Sequence, residues 1–228
     1  MVSSPGALIQ ATDGNFYGTT LLGGDTSICS EGCGTIFKMT PQGTLTTIHS
    51  FNDTDGLEPA SGLLQATDGN FYGTTAGGGG SGHGTVFKIT QGGMLITMHS
   101  FDGGDGYSAT GNLMQAADGN LYGTTEYGGA NNNSIVCGSS VSGCGTVFKI
   151  TLAGVLTTLH NFCSQTNCTD GANPYQAGLV QATDGNLYGT TYDGGAKDWG
   201  TVFRITAGGS LTTLHSFDDS DGGLLRQG

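Results

Sequence analysis

Asp55, Asp105, Asp170 and Asp221 each stand immediately before a glycine. Carboxylate oxygens beside a sharp glycine turn have the chemistry to hold calcium, a hard cation that takes six to eight oxygens. The spacing of a complete calcium-binding loop is absent, and the same dipeptide makes ordinary turns without metal. His49, His99, His160 and His215 recur before Ser-Phe or Asn-Phe, and a ring of equivalent imidazoles would suit a metal on a symmetry axis. Their place in the outermost strand of each unit argues instead for repeated packing at the sheet edge. Lys38, Lys88, Lys149 and Arg204 also fall at one equivalent position. They are expected to pair with acidic groups of their own or a neighbouring unit. The least repetitive polar group is Asp193, Lys197, Asp198 and Trp199. The last three form a candidate ligand face, with Trp199 either a stacking platform for a sugar or a loop anchor. No carboxylate pair, nucleophile–base set or phosphate loop stands outside the repeated frame, so the expectation is a protein that is not an enzyme and needs no cofactor beyond the calcium alternative.

The six cysteines lie in three close pairs, Cys29 with Cys33, Cys137 with Cys144 and Cys163 with Cys168. Zinc is the rival to disulfides, but no C-x2-C pair exists and no histidine sits beside these cysteines. Neighbour disulfides, and with them an oxidising extracellular setting, are the expectation. The N-terminal "MVSSPGALIQ" has neither a basic nor an apolar signal region. An exported protein would then have its secretion signal cleaved or omitted. Sequons stand at Asn52, Asn132 and Asn167.

Composition narrows the partners. With 18 acidic residues against 6 basic ones and a formal charge of −12, the chain has no electrostatic footprint for nucleic acid. An anionic membrane surface is disfavoured for the same reason. No apolar run reaches the roughly 20 residues that span a bilayer. Self-association, other extracellular surface components and glycans remain as expected partners.

These residues are positioned by a tandem repeat. "DGNFYGTT" occurs at Asp13–Thr20 and Asp68–Thr75, and again with one Phe-to-Leu change at Asp118–Thr125 and Asp184–Thr191. Each unit reads as an apolar strand, an Asp-Gly-Asn turn, "YGTT", a variable Gly-rich loop, "GT(V/I)F(K/R)", a tight turn, and "LTTLHSF" or a variant. The Gly-Thr markers at Gly34, Gly84, Gly145 and Gly200 stand 50, 61 and 55 residues apart. No stretch shows a helical period, and Thr, Val, Ile, Phe and Tyr fill the runs, which predicts an all-β chain. Four strands per unit are expected, in the first unit about 8–12, 16–20, 35–40 and 45–51, with the Asp-Gly as a type I′ hairpin.

Such units predict a single-domain β-propeller over 1–228, with repeats at about 6–56, 57–106, 107–173 and 174–222. The alternatives left open are a closed four-bladed ring and half of an eight-bladed one. Residues 223–228 begin a fifth copy of the first strand, a surplus segment suited to pairing with a neighbouring molecule in a filament. All length variation lies in the second-to-third strand loops and the connections between units, so one face is elaborated and the other plain.

The motifs "GLLQATDGNFYGTT", "GTVFKIT" and "LTTLHSF" resemble the Gly-Thr-Val-Phe tandem repeats of bacterial exported proteins, the GloVer repeats, over essentially the whole chain. The resemblance implies export and surface display and brings no catalytic residues. The expected role is structural or adhesive, with glycan or protein binding through the elaborated face as the alternative.

Overall fold

The computed structural model describes residues 7–133, 135–138 and 143–221. Sixteen strands form four antiparallel four-stranded sheets, each in sequence order. The first sheet holds β1 (Ile9–Gln10), β2 (Phe16–Thr20), β3 (Thr35–Met39) and β4 (Leu45–Ser50). The second holds β5 (Leu64–Gln65), β6 (Phe71–Thr74), β7 (Thr85–Ile89) and β8 (Leu95–Ser100). The third holds β9 (Met114–Gln115), β10 (Leu121–Thr125), β11 (Thr146–Ile150) and β12 (Leu156–Asn161). The fourth holds β13 (Val180–Gln181), β14 (Leu187–Thr191), β15 (Thr201–Ile205) and β16 (Leu211–Ser216). These are the blades of an all-β, four-blade propeller arrangement. The surplus segment at 223–228 lies outside the described residues.

The repeated phrase is mechanical. Asp13 Oδ2 accepts from the Tyr17 hydroxyl at 2.9 Å and from Lys38 Nζ at 3.1 Å, while Oδ1 accepts from the Asn15 backbone N–H at 3.0 Å. Asp68 does the same with Tyr72, Lys88 and Asn70. Partial desolvation works to raise these two carboxyls; the hydrogen bonds overcome it and hold both well below the usual carboxylate range. Asp118 and Asp184 keep the Tyr and Asn partners. The expected cation pairing is present as direct contacts for Lys38 and Lys88; the charges of Lys149 and Arg204 favour ionised Asp118 and Asp184, and Arg204 donates to Thr212 Oγ1.

The turn is not type I′. Gly14 has φ +79° but Asp13 is not left-handed, and the Gly14 N–H bonds the Ala11 carbonyl while Ala11 N–H bonds Asn15 O. This is a three-residue loop with glycine at the left-handed position. The Asp13 bonds to Asn15 and Tyr17 hold the aspartate outside the conformation that type I′ requires. The first strand is also shorter than expected, two residues instead of five, because the turn takes Ala11 and Thr12.

Neighbouring sheets bury one another. One core combines Tyr17, Ile36 and Phe51 with Leu63, Phe71, Phe87 and Ile89 of the next sheet. A second combines Tyr72, Val86 and Phe101 with Leu113, Leu121, Phe148 and Ile150. A third combines Tyr122, Val147 and Phe162 with Leu179, Leu187, Phe203 and Ile205. Paired bonds tie the sheets near the turns: Gln65 to Thr12, and Gln115 to Thr67. Gln181 Oε1 accepts from Ala117 N–H. Asn112 Oδ1 accepts from Gly62 N–H at 2.7 Å, and a Cβ on Gly62 would meet Ala7 as well as Asn112. The segments preceding the first strands of three blades therefore converge toward the centre.

Among the described residues no fourth core joins the last blade to the first. Tyr17, Tyr72 and Tyr122 are 0, 0 and 1% exposed, but their equivalent Tyr188 is only partly buried. Val180 and Leu214 beside it are 66 and 49% exposed. On the first blade's opposite face, Leu8 is 51% exposed where Leu63, Leu113 and Leu179 are 4 to 5%. Of the two ring alternatives, self-closure of four blades is not what these residues build. They form an open arc.

Candidate functional site

The connections between blades cross the elaborated face and pair there with the loops after the second strands. Leu57 bridges Gly77, Tyr107 bridges Tyr127 and Ala172 bridges Asp193. One position in each crossover, Glu58, Ser108 or Asn173, is left-handed at φ 56°, 60° and 52°. Its N–H bonds the carbonyl of Cys33, His83 or Cys144, and its own carbonyl accepts from Ala76, Glu126 or Tyr192 N–H. Those two bonds hold a conformation that non-glycine residues seldom take. The backbone is thus constant, and the side chains mounted on it differ.

At the third crossover they make a cavity of about 220 Å³, lined by Glu126, Tyr127, Asn173, Tyr175, Tyr192 and Asp193. The sequence accounts for its location. Gly56 to Leu63 and Gly106 to Leu113 span seven positions, but Gly171 to Leu179 spans eight. The extra residue falls at Tyr175-Gln176, where Gln176 is left-handed and Tyr175 stands 47% exposed. Its ring meets Tyr192 edge-on at 6.2 Å. Asn173 is 6% exposed and its Oδ1 has no hydrogen-bond partner. Glu126 accepts from Ser108 Oγ at 3.3 Å. Burial raises the Glu126 carboxyl; hydrogen bonds from Tyr127 and Ser108 oppose that, and the charge of Asp193 adds to it. Burial and Glu126 also push the Tyr127 hydroxyl up. Asp193 belonged to the group singled out in the sequence. The other five lining residues were missed; the one-residue lengthening of this crossover marks Asn173 and Tyr175, and nothing in the spacing marks Glu126, Tyr127 or Tyr192.

The sequence-derived candidates lie elsewhere. Asp55, Asp105, Asp170 and Asp221 each accept a bond from the histidine of their own blade: His49 at 2.9 Å, His99 at 2.6 Å, His160 at 3.0 Å and His215 at 2.6 Å. Asp55, Asp105 and Asp221 use the other oxygen to cap the crossover backbone at Asn52, Asp102 and Asp218. Asp170 caps Ser164 and Gln165. The structure gives them the work of clamping the crossover to the outer strand. Each histidine ring also packs edge-on against the phenylalanine two residues on. A register shift in the outer strand pair of every blade, as between Ile36 and Phe37, precedes this contact. Such bulges re-aim side chains.

Disulfides join Cys29–Cys33, Cys137–Cys144 and Cys163–Cys168, as the spacing leads one to expect. The four sulfur atoms of the last two lie within 4.8 Å of one another beside the third crossover. Asn132 and Asn167 are exposed, and Asn52 is partly so. Asp198 is left-handed and accepts from Gly194 N–H at 2.9 Å. Lys197 is exposed and Trp199 half-buried; none of the three lines the cavity. Trp199 holds the position of Cys33, His83 and Cys144, whose carbonyls receive the next crossover. No helix of the described residues is long and apolar enough to cross a membrane.

The Gloeobacter/Verrucomicrobia repeat matches residues 1–139 and 134–228. The chain belongs to that family. None of the curated proteins matches it. Among solved structures it is similar to a gluconolactonase from Xanthomonas campestris, with a TM-score of 0.57 and 13% identity over 96% of this chain and 65% of that one. A luciferin-regenerating enzyme gives a TM-score of 0.52 at 13% identity, covering 94% of this chain and 62% of that one. An α-L-arabinofuranosidase from Clostridium thermocellum gives 0.51 at 13% identity, over 94 and 73%. At this identity the likeness shows the propeller fold alone. This chain of the Gloeobacter/Verrucomicrobia repeat family spans less than two thirds of the length of the first two proteins.

Proposed function

We propose that this repeat protein is a non-enzymatic, extracellular structural or adhesive segment that joins further blades of its own kind through its two uncovered faces. The observation that supports this is the contrast in burial at equivalent positions. Tyr188, Val202, Val180 and Leu214 on the last blade, and Leu8, Phe16, Met39 and Leu45 on the first, are all partly or largely exposed. Their equivalents form the three inter-blade cores. The two faces are therefore complementary halves of an interface the chain already makes three times. Contacts between such unlike faces are head-to-tail, and they propagate unless a rotation closes them. The three loop disulfides suit an oxidising compartment.

Sedimentation velocity over a concentration series tests this. Self-association is expected for the unaltered chain and its loss for Val202→Asp or Met39→Asp, since either places a carboxylate in the joint. A chain that stays monomeric at millimolar concentration would overturn the reading for copies of this segment.

A second reading, binding of a glycan or a protein side chain on the elaborated face, is favoured by a separate observation: Asn173, which lines the third-crossover cavity, carries a buried Oδ1 without a partner.

A further inference from the structure

We propose that the third-crossover cavity takes a primary alkylammonium group, a free amine or the head of a lysine side chain. This rests on the second reading, that the cavity binds a ligand, and names the ligand's class.

The lining is selective in sign and in hydrogen-bond sense. Its six side chains are two carboxylates, one amide and three phenols, with no basic group among them. Asn173 Oδ1 is buried without a donor, and an unmet buried acceptor costs about 1–3 kcal/mol. With the Asn173 amide turned toward the cavity that its residue lines, an incoming N–H removes that cost, so the ligand should carry a donor. Tyr127, Tyr175 and Tyr192 supply aromatic faces and edges, and a cation within about 6 Å of such a face is attracted by the ring quadrupole. Glu126 and Asp193 concentrate negative charge in a partly desolvated wall, the same conditions that raise the Glu126 carboxyl; a bound cation relieves both.

Other ligand classes meet fewer of these demands. A quaternary ammonium satisfies the rings and the carboxylates but has no N–H for Asn173. A calcium ion calls for six to eight oxygens, and two carboxylates with one amide oxygen fall short. A neutral sugar can donate hydroxyls to the two carboxylates but carries no positive charge to offset theirs. The other crossovers lack the combination: the equivalents of Asn173 and Tyr192 are Glu58 with Ala76, and Ser108 with Glu126.

Isothermal titration of the 228-residue protein, with tyrosine and Asn173 shifts followed by NMR, tests the assignment. The probes are n-butylammonium for a free amine and acetyl-Gly-Lys-Gly-amide for a lysine within a chain. Tetramethylammonium, n-butanol, methyl glucoside and calcium chloride are the comparison arms. Saturable binding of either ammonium probe, with shifts at Tyr127, Tyr175, Tyr192 and Asn173, is expected. Glu126→Gln and Asn173→Ala, each verified as folded by circular dichroism, should weaken it at least ten-fold, and tetramethylammonium should bind at least ten-fold more weakly than butylammonium. The better of the two ammonium probes identifies the source. Equal binding of tetramethylammonium would overturn the N–H requirement and the assignment with it. Binding of methyl glucoside, butanol or calcium without the ammonium probes would overturn the ligand class while leaving a binding cavity. No shift at the cavity with any probe would overturn both this inference and the reading beneath it.

Discussion

Tyr122 and Tyr188 hold the same place in the same repeat, yet alanine at the two sites should differ sharply in cost. Both hydroxyls donate to an aspartate, Asp118 at 2.8 Å and Asp184 at 2.9 Å. Both follow the same turn and both precede a glycine. They differ in cover: Tyr122 is 1% exposed in the core between the third and fourth blades, while Tyr188 is on the face with no following blade. Truncating a fully buried aromatic costs about 3–5 kcal/mol. At Tyr188 the lost bond and partial burial come to about 1–2 kcal/mol. The difference of about 2–3 kcal/mol corresponds to roughly 4–12 °C in melting temperature for a protein of this size. Urea denaturation with the disulfides intact, at a concentration that keeps the chain monomeric, measures it. Tyr122→Phe and Tyr188→Phe remove the hydroxyl alone and should lose similar, smaller amounts. At high concentration the Tyr188→Ala penalty should grow as self-association begins to protect the wild type. Equal losses for the two alanine variants in the monomer would mean that Tyr188 is covered, and the open arc would be wrong.

Further outcomes follow from the same geometry. Gly123→Ala should cost about 1–3 kcal/mol by overpacking, since a Cβ there would lie 2.6 Å from Phe148 Cζ and 2.8 Å from Leu113 Cδ2; thermal melting at wild-type stability would refute it. Gln115→Ala removes both bonds to Thr67 and should cost roughly 1–2 kcal/mol. Gln10→Ala, whose side chain among the described residues reaches Gly14 of its own turn and no neighbouring blade, should cost less than half of that in the same denaturation assay. Asp68 has a folded-state pKa held below its unfolded value, so its contribution is complete above the unfolded carboxylate value of about 3.9 and is lost as pH falls below it. Melting temperature followed between pH 2 and 6 should therefore fall less steeply for Asp68→Asn than for the wild type, and parallel curves would show that the cluster has no pH-linked role.

Much of this architecture is legible in the one-dimensional chain because local signals repeat four times. In the first blade the second, third and fourth strands came within one residue of their observed ends, since the "FYGTT", "GTIFK" and "LTTIHS" runs are apolar and β-branched. The first strand and the turn were less legible. Whether Asp13 is left-handed depends on where its carboxylate bonds, and Lys38 and Tyr17, which take up that carboxylate, reach it through sheet pairing. The roles of Asp55, Asp105, Asp170 and Asp221 were illegible for a similar reason. A carboxylate beside glycine gives no sign in the sequence of the histidine that a bulge swings toward it.

The cavity shows the same division at the level of function. That a crossover one residue longer would differ from its siblings is written in the spacing; that Glu126, Asn173 and Tyr192, distant in the chain, would share one wall is not. By itself, the order of residues determined the strand content, the repeat, the paired cysteines and the family, because each depends on neighbours a few positions apart. The open arc and the cavity depend on which sheet lies against which. Only the tertiary structure decided them, through burial that differs between identical phrases according to whether another blade stands beside them.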